Sequence, residues 1–160
     1  MSPEPASPSI EVRPYGAEDG SFLASIAHRL HPSETVSPRD PEVVARFFSS
    51  LAAGRMLSEP GSEAFVAVVG GTPAGVVALH PDADYFTGHS RAYVDVLVVA
   101  AEAEGKGIGR ALMRHVEDWA RTHDCLEVVL DVFAGNAGAI AFYERNGYRP
   151  DHIRMAKPLV

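Results

Sequence analysis

The chain has 160 residues, of which 46% are hydrophobic and 22% charged, a size and composition typical of one globular domain with a sizeable core. Its formal net charge of −7 argues against a nucleic-acid partner, because phosphate backbones attract basic surfaces. No apolar run approaches the roughly 18 residues of a membrane span, and a lone cysteine, Cys125, excludes an internal disulfide. We therefore expect a cytoplasmic protein with neither a membrane nor a nucleic-acid partner.

The chain begins with a proline-rich stretch that lacks an apolar core, and we predict a flexible tail over residues 1–9. Neither a linker nor a repeat interrupts the rest of the chain, so residues 10–160 are predicted to form a single domain. In chain order, the predicted elements are a strand at Ile10–Tyr15, a helix at about Ala17–Leu30, a helix from Pro41 to about Gly54, strands in EAFVAVV, PAGVVALH and RAYVDVLVV, a helix from Gly107 to about His123, a strand in LEVVLDVF, a helix from Asn136 to Asn146, and a last strand in HIRMAKPL.

Three local signals support these boundaries. Asp40 before Pro41 is a typical helix start, since the aspartate caps the helix and proline fits its first position. Gly70 and Gly71 between two apolar runs predict a hairpin. The order of elements predicts the α/β (α+β) class, with a mixed, mostly antiparallel, twisted sheet of six to seven strands flanked by about four helices.

Three glycines at alternate positions, Gly105, Gly107 and Gly109, lie between an apolar strand and an amphipathic helix. Two phosphate-binding fingerprints do not fit: Lys106 precedes Gly107 with no Ser or Thr behind it, and Arg110 stands where a third dinucleotide-motif glycine would be. A helix N-terminus still favours an anion, and glycines let the backbone approach it closely. The loop alone leaves open a plain strand-to-helix turn with solvated basic side chains.

Two segments, VDVLVVAAEAEGKGIGRALM and NAGAIAFYERNGYRP, resemble the motifs of the GCN5-related N-acetyltransferases, the GNAT superfamily. The acetyl-CoA motif of that family reads [Q/R]-x-x-G-x-[G/A]. Gly107 and Gly109 match it, whereas Glu104 stands where the family usually has Gln or Arg. The element order also follows the family from Ile10 to Leu159, so the resemblance implies the GNAT-like (acyl-CoA N-acyltransferase) fold.

The resemblance implies acetyl-CoA as cosubstrate, with no metal. The backbone amides of residues 105–110 would form the main diphosphate cradle, and amides at the end of the preceding strand would stabilise an oxyanion if a bulge interrupts the ladder. Asn136 would bind the pantetheine arm. The implied cofactor-binding residues are Leu97, Val98, Val99, Gly105, Lys106, Gly107, Ile108, Gly109, Arg110, Asn136 and Tyr143.

Two residues are the candidate catalytic groups. Tyr143 shares a helix face with Asn136 and would give a proton to the departing thiolate. Asp95, inside an apolar strand, is the candidate base for the attacking amine, since a buried carboxylate is costly unless it is hydrogen-bonded or functional. The alternatives are a helix cap for Asn136, a core aromatic for Tyr143 and a solvent-facing Asp95. Side chains that flank Asp95's strand are further candidates for acceptor binding or proton relay: His80, Asp82, Asp84 and His89.

The functional prediction is an acetyl-CoA-dependent N-acetyltransferase that moves an acetyl group to a primary amine of a small molecule or peptide. Loops at residues 30–41 and 80–90 would select the acceptor, because loops carry specificity on such scaffolds. The alternative is a catalytically silent sensor of the same fold that binds CoA, and Glu104 is the residue that favours it. Dimers are common in the family, so a homodimer is compatible with the resemblance.

Overall fold

A computed structural model describes residues 9–30 and 39–159, and within them the chain forms five β-strands and four α-helices. The strands are β1 (Ile10–Pro14), β2 (Glu63–Val69), β3 (Thr72–Ala83), β4 (Ser90–Val99) and β5 (Glu127–Leu130). The helices are α1 (Gly20–Ile26), α2 (Pro41–Ala52), α3 (Ile108–Thr122) and α4 (Ala137–Arg145), with 3₁₀ turns at Ala17–Asp19, Ala27–Leu30, Arg55–Leu57 and Ala101–Ala103. Residues 1–8 of the predicted tail at 1–9, and residues 31–38 of the predicted acceptor loop at 30–41, lie outside the described residues.

The strands form one mixed sheet in the order β1-β2-β3-β4-β5, so neighbours in sequence are also neighbours in space. Pairings from β1 to β4 are antiparallel, whereas β5 runs parallel to β4. A parallel pair needs a crossover connection, and α3 provides it while packing against the sheet. The predicted α/β (α+β) class, the mostly antiparallel mixed sheet and the number of helices are confirmed.

The predicted number of strands is wrong, because the described residues form five strands and not six or seven. HIRMAKPL carries a strand-like alternation of apolar residues, but residues 151–159 form no regular element and are exposed. Alternation marks a segment that could pair, yet a strand also needs a neighbour that accepts its backbone hydrogen bonds. Pro158 further weakens the pairing, since proline cannot donate one.

The centre of the core is β3, in which six consecutive residues, Ala74–Leu79, are buried. A Cβ at Gly75 would lie 3.0 Å from a methyl of Ile108 and 3.1 Å from one of Leu112, so this position faces α3. Residues next to it in the strand point to the opposite face, where α1 contacts β3. Burial on both faces is expected for a strand covered by helices on each side.

Local turn and cap chemistry agrees with the sequence. Gly70 and Gly71 both have positive φ, 56° and 82°, which is the conformation that a two-residue hairpin between β2 and β3 requires. Asp40 accepts a hydrogen bond from the Glu42 N–H at 2.8 Å, and Pro41 is the first residue of α2. The predicted hairpin and helix start are confirmed. No helix in residues 9–30 and 39–159 is long and apolar enough to cross a bilayer.

Candidate active site

β4 and β5 separate before β4 reaches the glycine loop. Their pairing covers only Arg91–Val94 against Glu127–Leu130, so residues 95–99 of β4 have no strand partner on that side within the described chain. The register against β3 also shifts, which leaves Asp95 as an unpaired bulge residue. A strand that loses its neighbour in this way presents backbone N–H and C=O groups to the gap. The bulge implied for the end of this strand is present, at Asp95.

A cavity of about 550 Å³ occupies this region, a volume within the usual range for small-molecule sites. It is bounded by the end of β4, the glycine loop, the first turn of α3 and one face of α4. The lining residues are Arg29, Leu97, Val98, Val99, Ala103, Glu104, Gly105, Gly107, Ile108, Gly109, Arg110, Ala139, Phe142, Tyr143, Arg145 and Asn146.

The glycine loop presents bare backbone to the cavity. Gly105 and Gly107 have φ of 72° and 82°, a region that side chains with a Cβ rarely adopt. No side chain caps α3, and its first backbone hydrogen bond runs from Ala111 N–H to Gly107 O. The N–H groups of the first turn therefore have no hydrogen-bond acceptor within the helix, and they favour binding of an anion.

Open space adjoins the loop, since a Cβ built on Gly105 meets no atom within 4 Å and one on Gly107 meets only Ile10, at 3.9 Å. The contact is much closer at Gly109, where a Cβ would come within 3.1 Å of the Phe142 ring. The first turn of α3 therefore lies directly against a side chain of α4 at Gly109. The loop therefore leaves room for a ligand beside Gly105 and Gly107, whereas the Phe142 ring fills the space beside Gly109.

Basic side chains give the cavity a positive rim. Arg29, Arg110 and Arg145 line it, and Arg29 forms an ion pair with Glu104. The Arg29 Nε also donates to the Val99 carbonyl at 2.7 Å, so that carbonyl points to the open side of β4 and not to β3. This combination of arginines and uncapped amides is suited to a phosphorylated ligand.

Tyr143 stands at the α4 side of the cavity, packed edge-to-face against Phe142 and Tyr148. Its hydroxyl makes no hydrogen bond to any described residue, and burial raises the pKa of Tyr143 to about 12. The phenol is therefore protonated at neutral pH and can act as a hydrogen-bond donor to a ligand in the cavity.

Asp95 lies on the same face of β4 as Leu97, two residues beyond the cavity lining. Its Oδ2 lies 2.7 Å from the Nδ1 of His80, which projects from β3. Burial raises the pKa of Asp95, and the contact with His80 partly offsets that effect. A carboxylate that accepts the Nδ1 proton fixes the histidine tautomer and leaves Nε2 as a free base.

A family model described as the acetyltransferase (GNAT) family matches residues 23–148, most of the chain. The chain belongs to the GNAT family. Streptothricin acetyltransferase of Streptomyces lavendulae is 36% identical over 152 residues, which cover 86% of this chain and 78% of that protein. N-acetyltransferase 8F1 of Mus musculus is 33% identical over 93 residues, which cover 58% of this chain and only 42% of that protein.

Solved structures show the same GNAT fold. A protein of Pyrococcus furiosus, provisionally named an acetyl transferase, superposes with a TM-score of 0.76 at 26% identity, covering 94% of this chain and all of that one. Ribosomal-protein-alanine N-acetyltransferase of Brucella melitensis has a TM-score of 0.68 at 19% identity, covering 95% and 100% of the two chains. Named homologues of this chain are acetyltransferases, so the chain is an enzyme of the N-acetyltransferase class.

Most of the residues that the GNAT resemblance implied as cofactor-binding come together in the cavity wall. Those that do are Leu97, Val98, Val99, Gly105, Gly107, Ile108, Gly109, Arg110 and Tyr143. Lys106 is exposed and outside the lining. Asn136 is also outside it and caps α4, where its Oδ1 accepts from the Ala139 N–H at 3.1 Å.

Sequence reasoning missed Arg29, Phe142, Arg145 and Asn146 as lining residues. Asn146, the C-cap of α4, lies three residues after Tyr143, so helical periodicity from Tyr143 was a usable signal for it, whereas Phe142 is adjacent to Tyr143 and has no such spacing. Arg29 had no such signal, since it is distant in sequence from every other lining residue. Within the described residues no group of three or more His, Cys, Asp or Glu is placed to hold a metal ion.

Proposed function

We propose that this protein is an acetyl-CoA-dependent N-acetyltransferase that acetylates a primary amine of a small molecule or peptide. The observation that carries the proposal is one continuous cavity that joins an open, uncapped glycine loop to the half-buried phenol of Tyr143. Membership of the GNAT family supports the same chemistry. The proposal includes a cytoplasmic location and a single catalytic domain over residues 10–160.

The residues of the cavity fit acetyl-CoA. Its diphosphate would lie against the amides of the loop and first turn of α3, where the space beside Gly105 is open and Arg110 adds positive charge. Its pantetheine arm would follow the unpaired edge of β4 past Leu97 and Val99. Bound acetyl-CoA supplies an acetyl group activated as a thioester, and the chain's own residues orient it and move protons.

Tyr143 is the proposed general acid. A phenol with a pKa of about 12 holds its proton at neutral pH, so its O–H can hydrogen-bond to the sulfur and supply a proton as the C–S bond breaks and the thiolate leaves. Its hydroxyl makes no competing hydrogen bond within the described chain. The amides of β4 beside the bulge are proposed to stabilise negative charge on the acetyl oxygen.

Asp95 remains the predicted base, and its contact with His80 makes the pair the proposed proton acceptor. With Asp95 accepting the Nδ1 proton, His80 Nε2 is free to take the proton of the attacking amine directly or through water. The pair lies on the β4 face that continues from Leu97, on the side of the cavity away from the glycine loop.

Free-CoA release from acetyl-CoA, measured with a panel of amines, tests the function. Streptothricin is the first acceptor to try, since a relative at 36% identity is named for it; polyamines, amino acids and peptides come next. Mass spectrometry of the product should show one added acetyl group on an amine. Tight acetyl-CoA binding with no release for any amine would favour the second candidate, the silent sensor, for which Glu104 at the usual Gln/Arg position is the specific observation.

A further inference from the structure

Arg29 crosses the mouth of the cavity from the 3₁₀ turn Ala27–Leu30. One end of its guanidinium donates from Nε to the Val99 carbonyl at 2.7 Å, and the other end pairs with Glu104. The side chain of Arg29 is 25% exposed, whereas that of Glu104 is 62% exposed. The arginine is therefore anchored on half-buried backbone, and among the described residues its outer end is paired with a carboxylate that water already solvates.

This ion pair lies beside the loop that is suited to an anion. A lone carboxylate at position 104 would repel a diphosphate, but the paired arginine neutralises it. Ion pairs with a well-solvated partner contribute little to stability, so Glu104 gives up Arg29 at low cost. A planar guanidinium beside a diphosphate makes stronger, charge-assisted hydrogen bonds.

We propose that Arg29 is a cofactor-binding residue that exchanges Glu104 for the diphosphate of acetyl-CoA while its Nε stays on the Val99 carbonyl. This inference rests on the proposed function, which supplies the cofactor. The cation that the motif lacks at position 104 is thereby supplied by a residue 75 positions earlier in the chain. Glu104 holds Arg29 at the mouth of the cavity until the cofactor displaces it.

Calorimetric titration with CoA measures the affinity without turnover. Arg29→Ala should weaken CoA binding roughly 10- to 100-fold, because a charge-assisted contact is lost. Glu104→Gln should tighten binding about threefold or more, because it removes the competing carboxylate and its repulsion. Arg46→Ala and Glu42→Gln are matched controls, since this ion pair on α2 lies outside the cavity lining, and both should keep the affinity of the unmodified protein.

A second donor locates the contact. Acetyl-pantetheine lacks the diphosphate, so Arg29→Ala should lower kcat/KM for acetyl-CoA at least tenfold more than for acetyl-pantetheine. Arg29→Lys keeps the positive charge but lacks the planar guanidinium that can contact two partners, so it should bind CoA with intermediate affinity. This variant also replaces Arg29→Ala in the test if the alanine variant does not fold.

Three results would overturn the inference: unchanged CoA affinity in folded Arg29→Ala or Arg29→Lys, equal losses with both donors, or weaker binding in Glu104→Gln. The unmodified protein separates this failure from that of the proposed function. If the unmodified protein binds no CoA, the proposed function fails as well. If it binds CoA and the Arg29 variants bind CoA equally well, the proposed exchange of Glu104 for the diphosphate is wrong, but the proposed function is not affected.

Discussion

Tyr143 is a phenol held protonated by its surroundings, and its proposed role depends on that proton. Tyr143→Phe keeps the ring that packs against Phe142 and Tyr148 but removes the donor. We expect kcat to fall about 10²- to 10⁴-fold, a typical contribution of general acid catalysis, while CoA affinity changes by less than about twofold. Steady-state kinetics and calorimetry check the two values.

The pKa of about 12 adds a pH signature to this prediction. Because the phenol stays protonated well above neutrality, kcat should not decline with rising pH between 7 and about 10 through loss of the Tyr143 proton. Equal losses of kcat and cofactor affinity in Tyr143→Phe would contradict the acid role and would make the hydroxyl a binding group.

His80 and Asp95 form a proposed base whose two members have different tasks. His80→Gln removes the accepting nitrogen, and Asp95→Asn leaves a histidine whose tautomer is no longer fixed, so each should lower kcat/KM about 10²- to 10⁴-fold. A base must be unprotonated, so the unmodified enzyme should lose activity as pH falls, and His80→Gln should lose that acid limb.

His152→Gln is the matched control for the proton-acceptor pair, since the exposed His152 also has its Nδ1 beside a carboxylate, 3.1 Å from Asp151 Oδ2, and lies outside the cavity lining. It should retain both the rate and the pH profile. An acid limb that survives unchanged in His80→Gln would assign the proton to another group. The position of a carboxylate inside an apolar strand pointed to Asp95 but could not pair it with His80, because that contact depends on how β3 and β4 align around the bulge.

The strand-loop-helix unit of β4, the glycine loop and α3 is the element on which the proposed cofactor binding depends. Gly107 has φ of 82° and is the N-cap of α3, so Gly107→Val combines backbone strain with a side chain in the open space. Gly107→Asn is the sharper variant, because asparagine tolerates this conformation better. We expect Gly107→Asn to remain folded and to lose CoA affinity at least about tenfold.

Thermal melting and calorimetry on the two Gly107 variants separate strain from obstruction. Gly54 provides a control, since it also has positive φ, 109°, with nothing within 4 Å of an added Cβ, and it lies away from the cavity. Gly54→Asn should bind CoA normally. Normal affinity in Gly107→Asn would remove the diphosphate from this loop.

Helices, strands and turns were predicted correctly from the sequence where they depend on interactions between residues close together in the chain. Caps, hairpin glycines and the amphipathic face of α3 depend on residues a few positions apart, and those predictions are confirmed. The C-terminal strand failed because alternation in HIRMAKPL says nothing about whether a neighbouring edge receives it. A segment joins a sheet only when a second strand offers a free edge for its backbone hydrogen bonds, so the sequence of one segment cannot predict the pairing.

For the whole molecule, the proposed function predicts that acetyl-CoA stabilises the native state. At a concentration of about 100 times Kd, a ligand that binds only the folded protein adds about 2.7 kcal/mol. For a chain of this size that corresponds to a rise in Tm of about 5–10 °C. Differential scanning fluorimetry measures it, and in Gly107→Asn, with at least tenfold weaker binding, the rise in Tm should fall to about half or less.

ATP is a useful control ligand in the same assay, since it has phosphates but no pantetheine arm to lie along β4. A rise in Tm that is equal for ATP and acetyl-CoA would argue against a site that extends along that strand. The tertiary assembly of this site is what sequence could not supply: Arg29 reaches the glycine loop only because the turn before residue 31 packs against β4.

The near contact between Gly109 and the Phe142 ring has a consequence for evolution and engineering. Phe142 precedes Tyr143, so a change at Gly109 is transmitted to the residue next to the phenol. A methyl group at 109 would displace the Phe142 ring by a few tenths of an ångström. With acetyl-CoA bound as proposed, the absence of a side chain at 109 thus helps to set the spacing between its diphosphate and the Tyr143 hydroxyl.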